Sequence, residues 1–495
     1  MMLSRKSVLA CALLLCAAIS AVSCGGGETS VTDTGTAAVT ETGTVSAVDE
    51  SRVNDDLPDI DYAGDSVTIL YREEVGYEFV TEQTGEPVDD AVYDRNRAIA
   101  ERFNLTLDYM GRPGLWANQA EYKGLITNTV LAGDSTFDII TGQSNIVLPL
   151  ATENIYLDLS EAKYIDYSKP YWKDGFHDNA TIHGHLYAVS GDYALTTLTE
   201  TNVLLFHAGL FTDYDIPYPY QMVRDGTWTL DAFLSLAETF SADLNGDSVI
   251  DGNDLRGFTA YGNSINPLTY STQTAIMAKQ DDGIYIIDFP REKHVEVYDK
   301  VYDLIHSQNF HDIREVPAGF AHNDNAVVYE LEAGRSAMVG VVLKGVEWLR
   351  DMEADFGILP YPKYDEAQQD YVCSILRRFT VASVPITAAD PDQSSLVLEA
   401  LSSIGYNEII PTYFNVALKD KYTRDTDTAE MLDIIQAGAY FDFADAFYGN
   451  LSGVSDYLTS YAYYSTGAKG LASFFAKDEK SIQKQLDALY EAYED

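Results

Sequence analysis

The stretch Val88–Phe103, VDDAVYDRNRAIAERF, decides the fold class through what stands on either side of it. Val88, Val92, Ile99 and Phe103 fall on one helical face, and Pro87 suits a first turn, so the segment predicts an amphipathic helix. Upstream, Ser66-Val67-Thr68-Ile69-Leu70-Tyr71 is a short β-rich run; downstream, Leu105, Leu107 and Tyr109 alternate as in a strand. A second helix signal over Asn118–Leu131 leads into Phe137-Asp138-Ile139-Ile140-Thr141-Gly142, the pattern of a buried strand. A β-α-β-α-β order packs as a mostly parallel sheet covered by helices, which places the chain in the α/β class. In such sheets ligands sit beyond the carboxyl ends of the strands. That singles out Tyr71, Arg72, Glu73, Gln143 and Ser144 as cleft candidates.

With 495 residues, 46% of them hydrophobic, the chain has material for more than one packed lobe. Its net charge of −45 argues against nucleic acid, which needs basic surface to displace counterions. It also disfavours adsorption to anionic lipid heads, while an acidic surface suits solubility and divalent cations.

The N-terminus reads as a targeting segment. Arg5 and Lys6 precede an apolar run, Val8–Val22, too short for a comfortable span. It ends in Ala21-Val22-Ser23-Cys24 before three glycines, a pattern that resembles a bacterial lipobox. The expectation is a signal peptide over 1–23 and a lipid on Cys24, against the alternative of an ordinary cleaved leader. Residues 24–56, rich in Gly, Thr and Ser and without amphipathic period, read as a disordered tether. Cys11 and Cys16 leave with the leader, so Cys373 is left without a disulfide partner.

Five later segments carry a family likeness: HGHLYAVSGDYALTTLTETNVLLFHAGLF (His183–Phe211), DGTWTLDAF (Asp225–Phe233), LEAGRSAMVG (Leu331–Gly340), DFGILPYPKYDEAQQDY (Asp355–Tyr371) and YFNVALKDKYTRDTDTAEMLDII (Tyr413–Ile435). In this order they resemble the extracellular solute-binding proteins of bacterial carbohydrate ABC transporters. The resemblance implies a type II periplasmic-binding-protein-like fold of two α/β lobes, each a mostly parallel sheet flanked by helices. Lobe 1 would span 57–193 with about 384–420, and lobe 2 would span 194–383 with about 421–495. Two or three crossing segments would join them, near Ser190–Thr197, Arg378–Ile386 and Lys419–Asp425. The resemblance also implies a carbohydrate ligand, an ABC permease partner, a monomer held at the extracellular membrane face by its lipid, and no catalysis.

Within the second lobe, SADLNGDSVIDGNDLRGF (Ser241–Phe258) sets Asp243, Asn245, Asp247, Asp251 and Asp254 at positions 1, 3, 5, 9 and 12 of a loop. The carbonyl of Val249 stands at position 7. Hard oxygen donors at this spacing suit Ca²⁺. Two departures weaken the match: Ser248 stands where glycine is wanted at position 6, and Asp254 is shorter than the usual bidentate Glu. The readings are a structural calcium brace or an acidic turn without metal.

A sugar needs aromatic faces for its C–H surface and planar polar groups for its hydroxyls. With 35 Tyr, 20 Phe and 4 Trp, supply is not limiting, so position must choose among them. Tyr261, with Asn263 beside it, ends an expected second-lobe strand. Trp348 stands where the family often offers a stacking ring. Asp192 lies in the first crossing, where it is a hydroxyl acceptor or a turn residue. Arg377 and Arg378 lie near the second crossing and either reach the cleft or pair with surface acids. Trp228, at a helix start, reads as structural, and Trp172 as packing or lobe surface. No nucleophile elbow or phosphate loop is present, and His183 with His185 lacks a third ligand for zinc. A glycan-processing surface enzyme or dockerin-like scaffold, and a receptor for a non-sugar solute, are the rival readings.

Overall fold

The structure, a computed structural model, describes residues 52–313, 323–349, 352–415, 418, 426–464 and 469–494. The leader, Cys24 and the expected crossing at 419–425 lie outside the described residues. Among those residues, no helix is long and apolar enough to cross a membrane.

The opening prediction survives in detail. Strand β1 (Ser66–Arg72) runs into helix α1 (Pro87–Phe103), which starts on Pro87 and buries Val92, Ile99 and Phe103, with Val88 half-buried. Asn104, at φ 45, turns the chain out of the helix into β2 (Thr106–Arg112). Helix α2 (Gln119–Leu131) and β3 (Ile139–Gln143) follow. β1 pairs parallel with both β2 and β3, so each crossover buries one helix face against the sheet.

The second sheet begins at β4 (Asn202–His207). Helix α3 (Leu230–Thr239) then starts as its sequence asks: Thr229 Oγ1 accepts the amide of Ala232, and Asp231 sits in the first turn. Trp228 before it is fully buried and donates its indole N–H to the Pro360 carbonyl at 2.9 Å, the structural role expected of it. β5 (Arg256–Ala260) approaches this helix so closely that a Cβ on Gly257 would lie 1.8 Å from the Ala237 carbonyl oxygen. Only glycine fits there. Helix α4 (Glu292–Ile305), β6 (Phe310–Asp312), helix α5 (Asn323–Glu332), β7 (Ser336–Val342) and β8 (Phe356–Leu359) complete this part of the chain. The strand order is β8-β4-β7-β5-β6, with β4 antiparallel to both neighbours and β5 parallel to β6 and β7.

The chain then returns. β9 (Thr380–Ser383) pairs antiparallel with β3, giving a first sheet of order β9-β3-β1-β2. Two mixed sheets flanked by helices, exchanging one late strand, are the two-lobed architecture that the sequence led us to expect. The two passages between sheets run side by side. Val189 bridges Ala382, Thr201 bridges Ile375, and the Leu376 amide donates to the Glu200 carbonyl at 2.8 Å. Helix α6 (Pro391–Ile404) follows, and its end presses on the first passage: a Cβ on Gly405 would lie 1.9 Å from the Asp192 carbonyl oxygen.

Helix α6 also buries a carboxylate. Glu399 accepts hydrogen bonds from the Tyr171 hydroxyl, from Trp172 Nε1 at 2.9 Å and from the Asp166 amide at 3.2 Å. Burial nonetheless pushes its pKa up to about 7, with the three donors opposing the shift. An acid whose folded pKa lies above its unfolded value costs stability only where it must ionise in the fold. That cost is absent below the unfolded value of 4.5, grows as pH rises and is complete above about 7. Glu399→Gln keeps the shape without the charge. Measured by thermal unfolding, its stability relative to the natural protein is expected to rise between pH 5 and pH 8. A difference that stays constant across this range would contradict the assignment.

Candidate functional site

The carboxyl ends of β1 and β3 meet the returning passage. Arg72, buried at the end of β1, donates from Nη2 to the Arg378 carbonyl at 2.8 Å. Gln143 stands opposite Thr380 in register, and Ser144 Oγ donates to the Arg377 carbonyl at 2.9 Å. Three cleft candidates from the sequence therefore hold the backbone of the segment between the lobes. Glu78 ties the same region together: it is buried, accepts from the Thr196 amide at 2.7 Å and the Thr380 hydroxyl at 2.7 Å, and joins both passages.

That backbone presents Arg377, around which the site is built. Nη1 donates to Asp445 Oδ1 at 2.7 Å and Asp456 Oδ1 at 2.9 Å, and Nη2 donates to Asp456 Oδ2 at 2.8 Å. All three side chains are buried. Burial opposes the guanidinium charge, but the two aspartates outweigh it and hold Arg377 well above its ordinary value. Nearby Asp442, raised by its own burial and by Asp445, is pushed up to about 7.

Arg377 forms one wall of a small cavity, with room for about one water molecule, whose other walls include Asn202, Asn263, Asn266, Tyr270 and Asp445. Asn202 and Asn266 are held in place. Asn202 Nδ2 donates to the Ser374 carbonyl at 3.0 Å, and Asn266 Nδ2 donates to Asp456 Oδ1 at 2.5 Å. The buried hydroxyl of Tyr270 finds no hydrogen-bond partner among the described residues. A buried polar group without a partner is costly and invites a ligand or water hydroxyl. Outward from the cavity, the Arg377 guanidinium lies 3.9 Å from the ring centroid of Tyr448, and Trp116 meets Tyr448 edge-on at 6.3 Å. Trp116 keeps 61% of its surface exposed.

The remaining candidates take other places. Arg378 donates to Glu200 and Asp324, each at 3.0 Å. Tyr261, half-buried, and half-buried Trp348 both pack on the core cluster that contains Val339, Val341 and Ile358. Tyr71 packs its ring against Phe79 and Tyr109, and Glu73 is exposed. Asp192 is buried against Lys173 at 2.6 Å. Trp172, buried on Glu399, belongs to packing. Thus the structure brings Asn263 and Arg377 into one cavity, with Arg72 and Ser144 behind it. It adds Trp116, Asn266, Tyr270, Asp445, Tyr448 and Asp456, which no motif marked.

The acidic loop stands apart, closed at its base by paired bonds between Ala242 and Leu255. Asp243 accepts from the Gly246 amide at 2.6 Å and the Ser248 amide at 2.8 Å; Asp254 accepts from Leu244 and Asp251, each at 2.8 Å. Asn245 and Asp247 accept the amides of Asp247 and Val249. Ser248 adopts φ 67, the left-handed conformation for which glycine is favoured at that position. Among the described residues, no group of three or more His, Cys, Asp or Glu side chains converges on a point fit for a metal ion.

No family model and no curated protein matches the chain. Solved structures do. Maltose-bound MalE3 of Thermotoga maritima aligns with a TM-score of 0.53 at 13% identity, covering 84% of this chain and 99% of that one. An ABC substrate-binding protein of Listeria monocytogenes in complex with cycloalternan aligns with a TM-score of 0.54 at 10% identity, covering 86% and 99%. A sugar transporter of Rhizobium etli in an open conformation gives 0.53 at 13% identity, covering 86% and 98%. At these identities the likeness establishes the fold, and nearly the whole of each neighbour is matched.

Proposed function

We propose that this chain, which has the two-lobed fold of those binding proteins, is an extracellular solute-binding lipoprotein. It captures a carbohydrate, an oligosaccharide in our reading, and delivers it to an ABC permease. The observation that carries the reading is the cluster of polar and aromatic side chains around Arg377, beside the passages between the sheets. Fixed amides and the partnerless Tyr270 hydroxyl supply hydrogen bonds there, and Tyr448 with exposed Trp116 supplies aromatic surface beside them. The neighbours in the solved structures carry maltose and cycloalternan, which agrees with a sugar in this cleft.

The chain itself performs no covalent step in this reading. Its residues bind, orient and close. A ligand that touches both lobes only when they approach shifts the open–closed population toward the closed form, which the permease then senses. The two paired passages, pinned by Glu78 and by the carbonyl contacts of Arg72 and Ser144, set the axis of that motion. Small-angle scattering tests it. A saturating oligosaccharide is expected to reduce the radius of gyration, and binding without any change in shape would count against hinge closure.

We also assign a structural calcium ion to the loop Asp243–Asp254. Asp243, Asn245, Asp247, the Val249 carbonyl, Asp251 and Asp254 would hold it, bracing the connection between α3 and β5 against the cost of Ser248. Calcium at about a hundred times its dissociation constant is expected to stabilise the protein by about 2.7 kcal/mol. Thermal unfolding in calcium and in chelator reads this directly, and Asp247→Ala should abolish the difference. Identical unfolding in both would refute the ion.

A further inference from the structure

An arginine free to offer its fork binds a carboxylate or sulfate in two parallel hydrogen bonds. Arg377 has no such edge to offer: Nη1 and Nη2 are committed to Asp445 and Asp456, and its face is covered by the Tyr448 ring. Arg378 is spent in the same way, on Glu200 and Asp324. Each arginine is therefore outnumbered two to one by carboxylates fixed in the fold. Arg72 gives Nη2 to the Arg378 carbonyl, and its charge acts on buried Glu78. Lys344 lies across the Tyr77 ring with its ammonium 3.1 Å from the phenol oxygen. Negative charge is thus in excess around Arg377 and Arg378, whereas Arg72 and Lys344 make no ion pair among the described residues and Arg72 is buried.

We propose that the cleft selects uncharged glycans and rejects uronate- or sulfate-bearing ones, with Asp445 and Asp456 as the residues that set this preference. The inference rests on the carbohydrate reading above. An anionic sugar would have to displace a buried aspartate from Arg377 or lie beside unbalanced negative charge, and like charges brought together across an interface oppose binding strongly. A neutral hydroxyl meets no such opposition. It finds Tyr270 and Asn263 in the same cavity.

The test uses the natural protein and matched pairs: neutral gluco-, manno- and galacto-oligosaccharides against the corresponding uronate oligosaccharides, by calorimetric titration. The neutral member of the binding pair is expected to bind roughly tenfold or more tightly than its uronate. Equal or tighter binding of the uronate would overturn the inference while leaving the carbohydrate reading standing. Binding of neither class would overturn both. Asp456→Asn is expected to raise the ratio of uronate to neutral affinity, and an unchanged ratio in a folded variant would also overturn the assignment.

Discussion

Arg377→Met is expected to be the most damaging single substitution at the site, costing about 3–5 kcal/mol of stability and abolishing ligand binding. Methionine fills much of the space of arginine, so packing is a minor part of the loss. The larger part is electrostatic. Asp445 and Asp456 are buried and receive their charge-assisted hydrogen bonds from this one guanidinium. Without it two like charges face each other in a low-dielectric region with Asp442 close by, and at least one must take up a proton. Ser455, which donates to Asp445 at 3.1 Å, and Asn266, which donates to Asp456, cannot replace a full charge. The variant should therefore recover part of its loss at lower pH, as Asp445, already raised by burial and by Asp456, takes up its proton. Arg377→Lys keeps the charge, loses the fork and should fall between. Chemical and thermal unfolding at pH 5.5 and pH 8 would show this; a Met variant as stable as the natural protein would refute the network.

Trp116→Ala is expected to do the opposite, weakening glycan binding about tenfold or more while leaving stability within about 0.5 kcal/mol. The side chain is 61% exposed, and its recorded ring contact is with the edge of Tyr448. Folding therefore gains little from it. A large rigid ring left in solvent beside an aromatic that sits on Arg377 is surface held ready for a partner. Paired titration and unfolding separate the two effects. A large loss of stability would make Trp116 structural, and unchanged affinity would remove it from the binding surface.

Much of the fold was legible because its first lobe obeys local rules. The alternation at Leu105–Tyr109, the apolar stripe of α1 and the apolar run at Phe137–Gly142 each report a period that a sheet or helix face imposes. Ser66–Tyr71 and Val88–Phe103 were visible for the same reason. The site was legible only in part. Strand-end reasoning reached Arg72, Gln143 and Ser144, yet these hold backbone at the passage between the lobes. Arg377 was ambiguous in sequence between cleft and surface. Its meaning comes from Asp445 and Asp456, 68 and 79 residues away, in a region of short helices and turns with no period to read. In a chain with 77 acidic residues, no pattern marks which two are buried against an arginine. Trp116 escaped for a related reason: it sits in a single turn, Trp116–Asn118, where neither period nor motif applies.

The central claim is that this two-lobed chain takes a glycan into the cleft and releases it unchanged. Calorimetric titration of the protein with a panel of neutral mono- and oligosaccharides, followed by recovery of the sugar, tests it most directly. The account predicts saturable one-to-one binding of at least one oligosaccharide, recovered intact, and lost in the Arg377→Met variant. Binding confined to peptides or polyamines, or a glycan recovered as cleavage products, would contradict it.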